Sequence, residues 1–155
     1  MKRHRLLAVA TIVGSTIGAA ALGGARPSSW YRRLRKPAFT PPPAAFPVVW
    51  TALYALQAAS AYRVWRAPKS ADRTKALALW AAQLGFNAAW SPLFFGAHAP
   101  RAALVDLAAL DGTLAAYVRR AAKVDRPAAW LASPYLAWVL FATAINERVV
   151  RLNPT

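Results

Sequence analysis

Cysteine is absent from the 155 residues, which excludes a disulfide-stapled fold and any cysteine-based metal or redox site. Acid is nearly as scarce: five Asp and Glu stand against 20 Lys and Arg, giving a net charge of +15. The two histidines, His4 and His98, are too isolated to form a metal site. A Ser-His-Asp set, a P-loop and a dinucleotide fingerprint are all missing, so neither cofactor nor metal is expected. Charge of either sign is low, 16% against about 25% in an average soluble chain. Apolar residues fill the difference at 57%, which excludes a disordered basic tail. A charge of +15 ordinarily points to nucleic acid. Here the basic residues are scattered over every connection, with no basic helix or aromatic-basic module, so no nucleic-acid partner is expected.

The charges border long apolar runs. Leu6–Ala25 holds none across 20 positions, and Ala38–Tyr62 none across 25. Ala76–Pro100 contains only His98, Pro127–Asn146 is free of charge, and Arg101–Val118 is apolar apart from Arg101, Asp106 and Asp111. About 20 apolar residues in a helix span the hydrocarbon core of a bilayer. The pattern therefore predicts an all-α integral membrane protein, one domain over 1–155 forming a bundle of five transmembrane helices at about 6–25, 44–63, 76–96, 102–119 and 128–147. A soluble bundle would need a polar face on each helix, and Ala76–Gly96 offers only Gln83, Asn87 and Ser91. A cleavable signal peptide is the rival for the first segment, with Lys2, Arg3 and Arg5 before Leu6–Val13 and a small-residue site at Ala19–Ala21. The apolar stretch runs on to Ala25, which favours a retained helix. Gly14 and Gly18 carry a small-residue helix-packing spacing that also favours a retained helix, and Gly- and Ala-rich faces in general lead to the expectation of a homodimer.

With five spans, 12 basic residues fall on the side of the N-terminus and eight on the other. The positive-inside rule then puts the N-terminus in the cytoplasm. The alanine- and arginine-rich composition suggests a bacterial membrane, inner or outer, and a lipid environment as the first partner.

Helical spacing groups the aromatics. Trp50, Tyr54 and Gln57 share one face of the second span; Trp80, Gln83, Asn87, Trp90 and Phe94 share one on the third; Tyr135, Trp138 and Ala142 share one on the fifth. Such stripes can be packed seams. Gln83 and Asn87, however, place polar groups mid-span, and a Trp-lined space with few polar groups suits a flat hydrophobic ligand. Prolines at 37, 41, 42 and 43 keep the preceding loop extended. Its Arg32, Arg33, Arg35 and Lys36 can pair ligand carboxylates, or equally face solvent and lipid headgroups. Asp106 and Asp111 lie about 140° apart on the fourth helix and form no paired site; Asp111, the deeper, must face the interior or a partner.

Three motifs carry a resemblance. The first runs Trp30-Tyr-Arg-Arg-Leu-Arg-Lys36-Pro37-Ala-Phe39-Thr-Pro41-Pro42-Pro43 and on through Phe46, Trp50, Leu53 and Tyr54. Next come Asn87-Ala-Ala-Trp90-Ser91-Pro-Leu-Phe94-Phe95-Gly96 and Pro134-Tyr135-Leu-Ala-Trp138-Val-Leu-Phe141-Ala142-Thr-Ala-Ile-Asn146. In this order and spacing, from Trp30 to Asn153, the chain resembles the translocator protein family, also called tryptophan-rich sensory proteins (TspO/MBR) or peripheral-type benzodiazepine receptors. The resemblance implies a five-helix receptor for porphyrins, cholesterol and benzodiazepine-type ligands. For a porphyrin, Trp50 and Trp138 would stack on the macrocycle and the loop cations would meet its propionates. It also implies two alternatives: light- and oxygen-dependent protoporphyrin breakdown, with Trp50 and Trp138 as catalytic residues, or transport of hydrophobic ligands. The chain departs from the family at Ala38, Phe39 and Ala44, often tryptophan in relatives, so the rim is less aromatic. Sterol patterns match only formally, at Leu56–Arg66 through Tyr62 and at Leu114–Arg119 through Tyr117, and assign no sterol.

Overall fold

The computed structural model describes residues 2–23 and 28–154. They form six α-helices: α1 (Lys2–Gly23), α2 (Ser29–Arg33), α3 (Ala45–Arg66), α4 (Ala71–Ser91), α5 (Pro100–Val124) and α6 (Arg126–Leu152), with a π-helical turn, Pro92–Gly96, continuing α4. No strand occurs among the described residues.

The helix ends follow local chemistry. Ser70 accepts a hydrogen bond from the Arg73 N–H at 3.1 Å and starts α4; Asp125 accepts from the Ala128 N–H at 2.9 Å and starts α6. Pro100 opens α5, where its missing N–H costs nothing. Ala67 is extended because Pro68 follows it, and α3 stops there. Pro92 likewise lacks a donor, and the ladder beyond it shifts by one, the Ala97 N–H reaching the Pro92 carbonyl at 2.8 Å. A φ of 52° at His98 then turns the chain into α5.

Neighbouring helices close a ring in the order α1, α3, α6, α5, α4, with α1 packed on both α3 and α4. At one end, the base, lie the α3–α4 and α5–α6 connections. Ala61, Ala76, Ala121, Ala128 and Ala132 are wholly buried there, packed with Val64, Trp80 and Tyr117, because a methyl side chain lets helix backbones approach closely. Ser60 donates to the Ala128 carbonyl at 2.7 Å and lies 2.6 Å from the Tyr117 hydroxyl. Ser60 has one proton, so Tyr117 is the donor in that pair. Arg63 grips Asp125 through two bonds of 3.0 and 3.1 Å, and Arg120 pairs with Asp72. Burial pushes the Asp125 carboxyl up, but the Arg63 guanidinium and the Ala128 N–H outweigh it and hold the group below the usual carboxylate range.

The five long helices lie where the five apolar runs lie, each reaching into the flanking charged residues. Among the described helices, only α6 is long and apolar enough on its own to cross a membrane; the apolar part of α1 is Leu6–Gly18. Alanine dilutes the others, and Asp72, Arg73 and Lys75 in α4 and Asp106 and Asp111 in α5 interrupt them. Helix α2 is a short helix in the connection between the first two apolar runs. Ser28 caps it, accepting from the Tyr31 N–H at 3.2 Å. Asp111 faces α6, its carboxylate accepting from Thr143 at 2.8 Å. The Ala19–Ala21 site lies on α1 with side chains outside the described set, as do those of Lys2, Arg3, His4 and Arg5.

Candidate functional site

At the end opposite the base the helices part around a cavity of about 600 Å³. Helix α3 contributes Trp50 and Tyr54, α4 contributes Asn87 and Trp90, and the π-helical turn contributes Phe94 and Phe95. The longest wall is α6, from Trp138 through Ala142 to Asn146 and Val149, with Leu107 and Leu110 of α5 behind it. Phe94 and Phe95 of the π-helical turn border the same space.

Polar groups in the cavity are few and mostly tied to one another. Tyr54 donates to the Asn87 side-chain oxygen at 2.8 Å, and the Asn87 amide donates to the Tyr135 hydroxyl at 2.6 Å, which makes a hydrogen-bonded floor. Trp90 donates to the Asn146 side-chain oxygen at 3.3 Å, and Asn146 donates to the Pro100 carbonyl at 2.8 Å. Trp50 is stacked on Tyr54 with centroids 5.4 Å apart and meets Tyr135 edge-on at 5.9 Å. On the facing wall Trp138 meets Phe46 edge-on at 6.1 Å. Its indole N–H is buried and has no partner among the described residues.

The roof is the loop between α2 and α3. Asn153, just past α6, accepts from the Arg35 N–H at 3.0 Å and donates to the Arg35 carbonyl at 2.9 Å, pinning the loop at one point. Pro37 is buried, and both the N–H and hydroxyl of Thr40 donate to its carbonyl, at 3.1 and 2.8 Å. Phe39 leans on Phe141 at 6.1 Å. Lys36 lines the cavity with its ammonium 4.5 Å above the Tyr31 ring, donating to the Leu34 carbonyl at 3.1 Å. Burial raises the Tyr31 hydroxyl pKa and keeps it neutral beside that cation. Among the described residues no three His, Asp or Glu converge to hold a metal.

The residues singled out from sequence separate into groups. Trp50, Tyr54, Asn87, Trp90, Phe94, Trp138, Ala142 and Lys36 line the cavity. Tyr135 is buried behind it and holds the floor. Gln57 and Gln83 are wholly buried elsewhere, and Trp80 sits in the base core, so these three do not line the space. Arg32, Arg33 and Arg35 are exposed on the loop and do not line it either. Sequence reasoning passed over Phe46, Phe95, Phe141 and Asn146, although the quoted motifs contain all four.

The TspO/MBR family matches residues 6–152. Among similar proteins, the tryptophan-rich sensory protein of Cereibacter sphaeroides is 40% identical over 88% of this chain and 85% of its own. Tryptophan-rich protein TspO of Chlorobaculum tepidum is 34% identical over 97% and 98%. The translocator protein of Homo sapiens is 39% identical over 80% and 75%.

Proposed function

Since the chain belongs to the TspO/MBR family, we propose that it is a five-span membrane receptor or sensor that binds a flat hydrophobic ligand of the porphyrin type. The observation that carries this reading is the cavity, of about 600 Å³, walled by Trp50, Trp90 and Trp138 and with one cation, Lys36, at its roof. Its size lies within the usual range of roughly 300–1,000 Å³ for small-molecule sites. Aromatic contacts contribute about 0.5–1.5 kcal/mol each beyond burial, and Trp50 and Trp138 offer two such faces. A porphyrin carboxylate would pair with Lys36, which is the better placed of the four loop cations. The names of relatives, sensory protein and translocator protein, agree with a sensing or translocating role.

The five-span reading rests on the five apolar runs together with α6, and a bacterial membrane on composition and bacterial relatives. Gly14 and Gly18 are exposed on α1 with nothing near them, which suits a homodimer through that face.

Titration of the purified protein with protoporphyrin, in the dark and then under light, tests the function. Saturable tryptophan quenching in the dark, weakened by Trp138→Phe, is expected. Absence of quenching would sink the reading. Pigment loss under light and oxygen that disappears in Trp50→Phe and Trp138→Phe would favour the enzymatic alternative, for which both indoles border the same space.

A further inference from the structure

A second apolar depression, of about 350 Å³, opens on the outside of the bundle between α1 and α3. Val9, Ile12 and Val13 line it from α1, and Ala58, Ala59 and Tyr62 from α3. Ile12 is its buried floor, while Val9 and Val13 are 40% and 41% exposed along its lip. The groove exists because α3 presents two alanines opposite branched side chains, which leaves width that neither helix fills. From Ala58 to Tyr62 it extends about 6 Å along the helix axis.

Its base end has a different chemistry. The Tyr62 ring is stacked on Trp65 with centroids 6.0 Å apart, and the Arg66 guanidinium lies over it at 5.8 Å. Two other described cations of this end are occupied: Arg63 holds Asp125, and Arg73 donates twice to the Trp65 carbonyl, at 3.0 and 2.7 Å. Arg66 is exposed and takes part in no ion pair among the described residues. An apolar slot ending in an aromatic pair and an uncommitted guanidinium is complementary to one amphiphile, with a hydrocarbon chain at one end and a phosphate at the other. A second copy of the chain fits worse. It carries a net charge of +15, and three of its five acids, Asp72, Asp125 and Glu147, already hold arginines.

We propose that the α1–α3 groove binds one acyl chain of an anionic phospholipid, whose phosphate is held by Arg66. The proposal rests on the membrane reading given above and is independent of the porphyrin cavity. The lipid would sit where the bundle meets the leaflet, filling width between α1 and α3 and fixing α1 against its neighbours.

Native mass spectrometry of the delipidated full-length protein in detergent, titrated with phosphatidylglycerol or phosphatidylcholine of identical chains, tests it. Wild type should retain one phosphatidylglycerol per chain about five-fold more tightly than phosphatidylcholine, the effect of one interfacial basic residue. Arg66→Gln should abolish the preference and Arg66→Lys should keep it. Ala59→Phe, which fills the groove from an exposed position, should remove lipid retention while leaving protoporphyrin quenching intact. Equal retention of the two lipids by wild type, or undiminished phosphatidylglycerol binding by Ala59→Phe, would overturn the proposal. So would loss of a dimer in Ala59→Phe with lipid binding unchanged, because the groove would then hold a second copy. A protein that stays soluble without detergent refutes the membrane reading itself, before any lipid is added.

Discussion

At the base, α3, α4, α5 and α6 meet through wholly buried alanines, joined by polar pairs such as Ser60 with Tyr117 and Arg63 with Asp125. At the opposite end α3, α4 and α6 carry tryptophan or phenylalanine, and the helices stand apart around the cavity. Side-chain size thus acts in opposite directions along one bundle. Small residues draw backbones together, whereas large flat ones prop them open and leave their faces bare. The base fixes the helix arrangement, and the cavity depends on that arrangement without contributing equally to it.

Enlarging an alanine at each end separates the two roles most sharply. Ala128→Leu should destabilise the fold by about 1–3 kcal/mol or more, since the site has no spare volume. Ala142→Leu, on the cavity wall, should change stability by less than about 1 kcal/mol and lower ligand affinity instead. Thermal unfolding in detergent and quenching titrations read both, and equal stability losses would break the contrast. Next in size, Asn87→Leu strands the Tyr54 and Tyr135 hydroxyls and should cost about 1–3 kcal/mol, showing that the cavity floor is also a structural joint. Lys36→Gln should weaken binding of a carboxylate-bearing porphyrin about five-fold, leave its esterified form unaffected, and move the melting temperature little.

The smallest effect concerns the base ion pair. The folded-state pKa of Asp125 is depressed, so its contribution is full above the unfolded value near 4 and disappears as pH falls through the folded value. Both partners are partly exposed, so the loss should be only about 0.5 kcal/mol. Comparing the stability of wild type with that of Arg63→Gln across acid pH measures it; a gap above about pH 4 that closes as the pH falls further is expected.

How much of this was legible in sequence follows from what a periodic pattern encodes. Charge-free runs fall where the five long helices lie, and the aromatic spacing grouped Trp50 with Tyr54 and Asn87 with Trp90, four residues that line one cavity. A stripe gives a direction around the helix but no depth along it. Gln57, Gln83 and Trp80 share the faces of cavity residues yet lie in the closed part of the bundle, below the floor made by Tyr54, Asn87 and Tyr135. Loop geometry was less legible still. Four cations within five positions looked equivalent, but only Lys36 reaches the cavity, because Arg32 and Arg33 end up on the exposed surface of α2 and Arg35 is pinned by its backbone. Phe95 lines the cavity from the π-helical turn after Pro92, one position beyond the stripe that ended at Phe94.

The double hydrogen bond between Asn153 and Arg35 has a mechanical consequence. One side chain imitates the edge of a strand and ties the near side of the roof to the end of α6, while Phe39 further along leans on Phe141 of the same helix before the chain enters α3. Because α6 supplies both the longest wall of the cavity and the anchor of its roof, wall and roof are mechanically one piece.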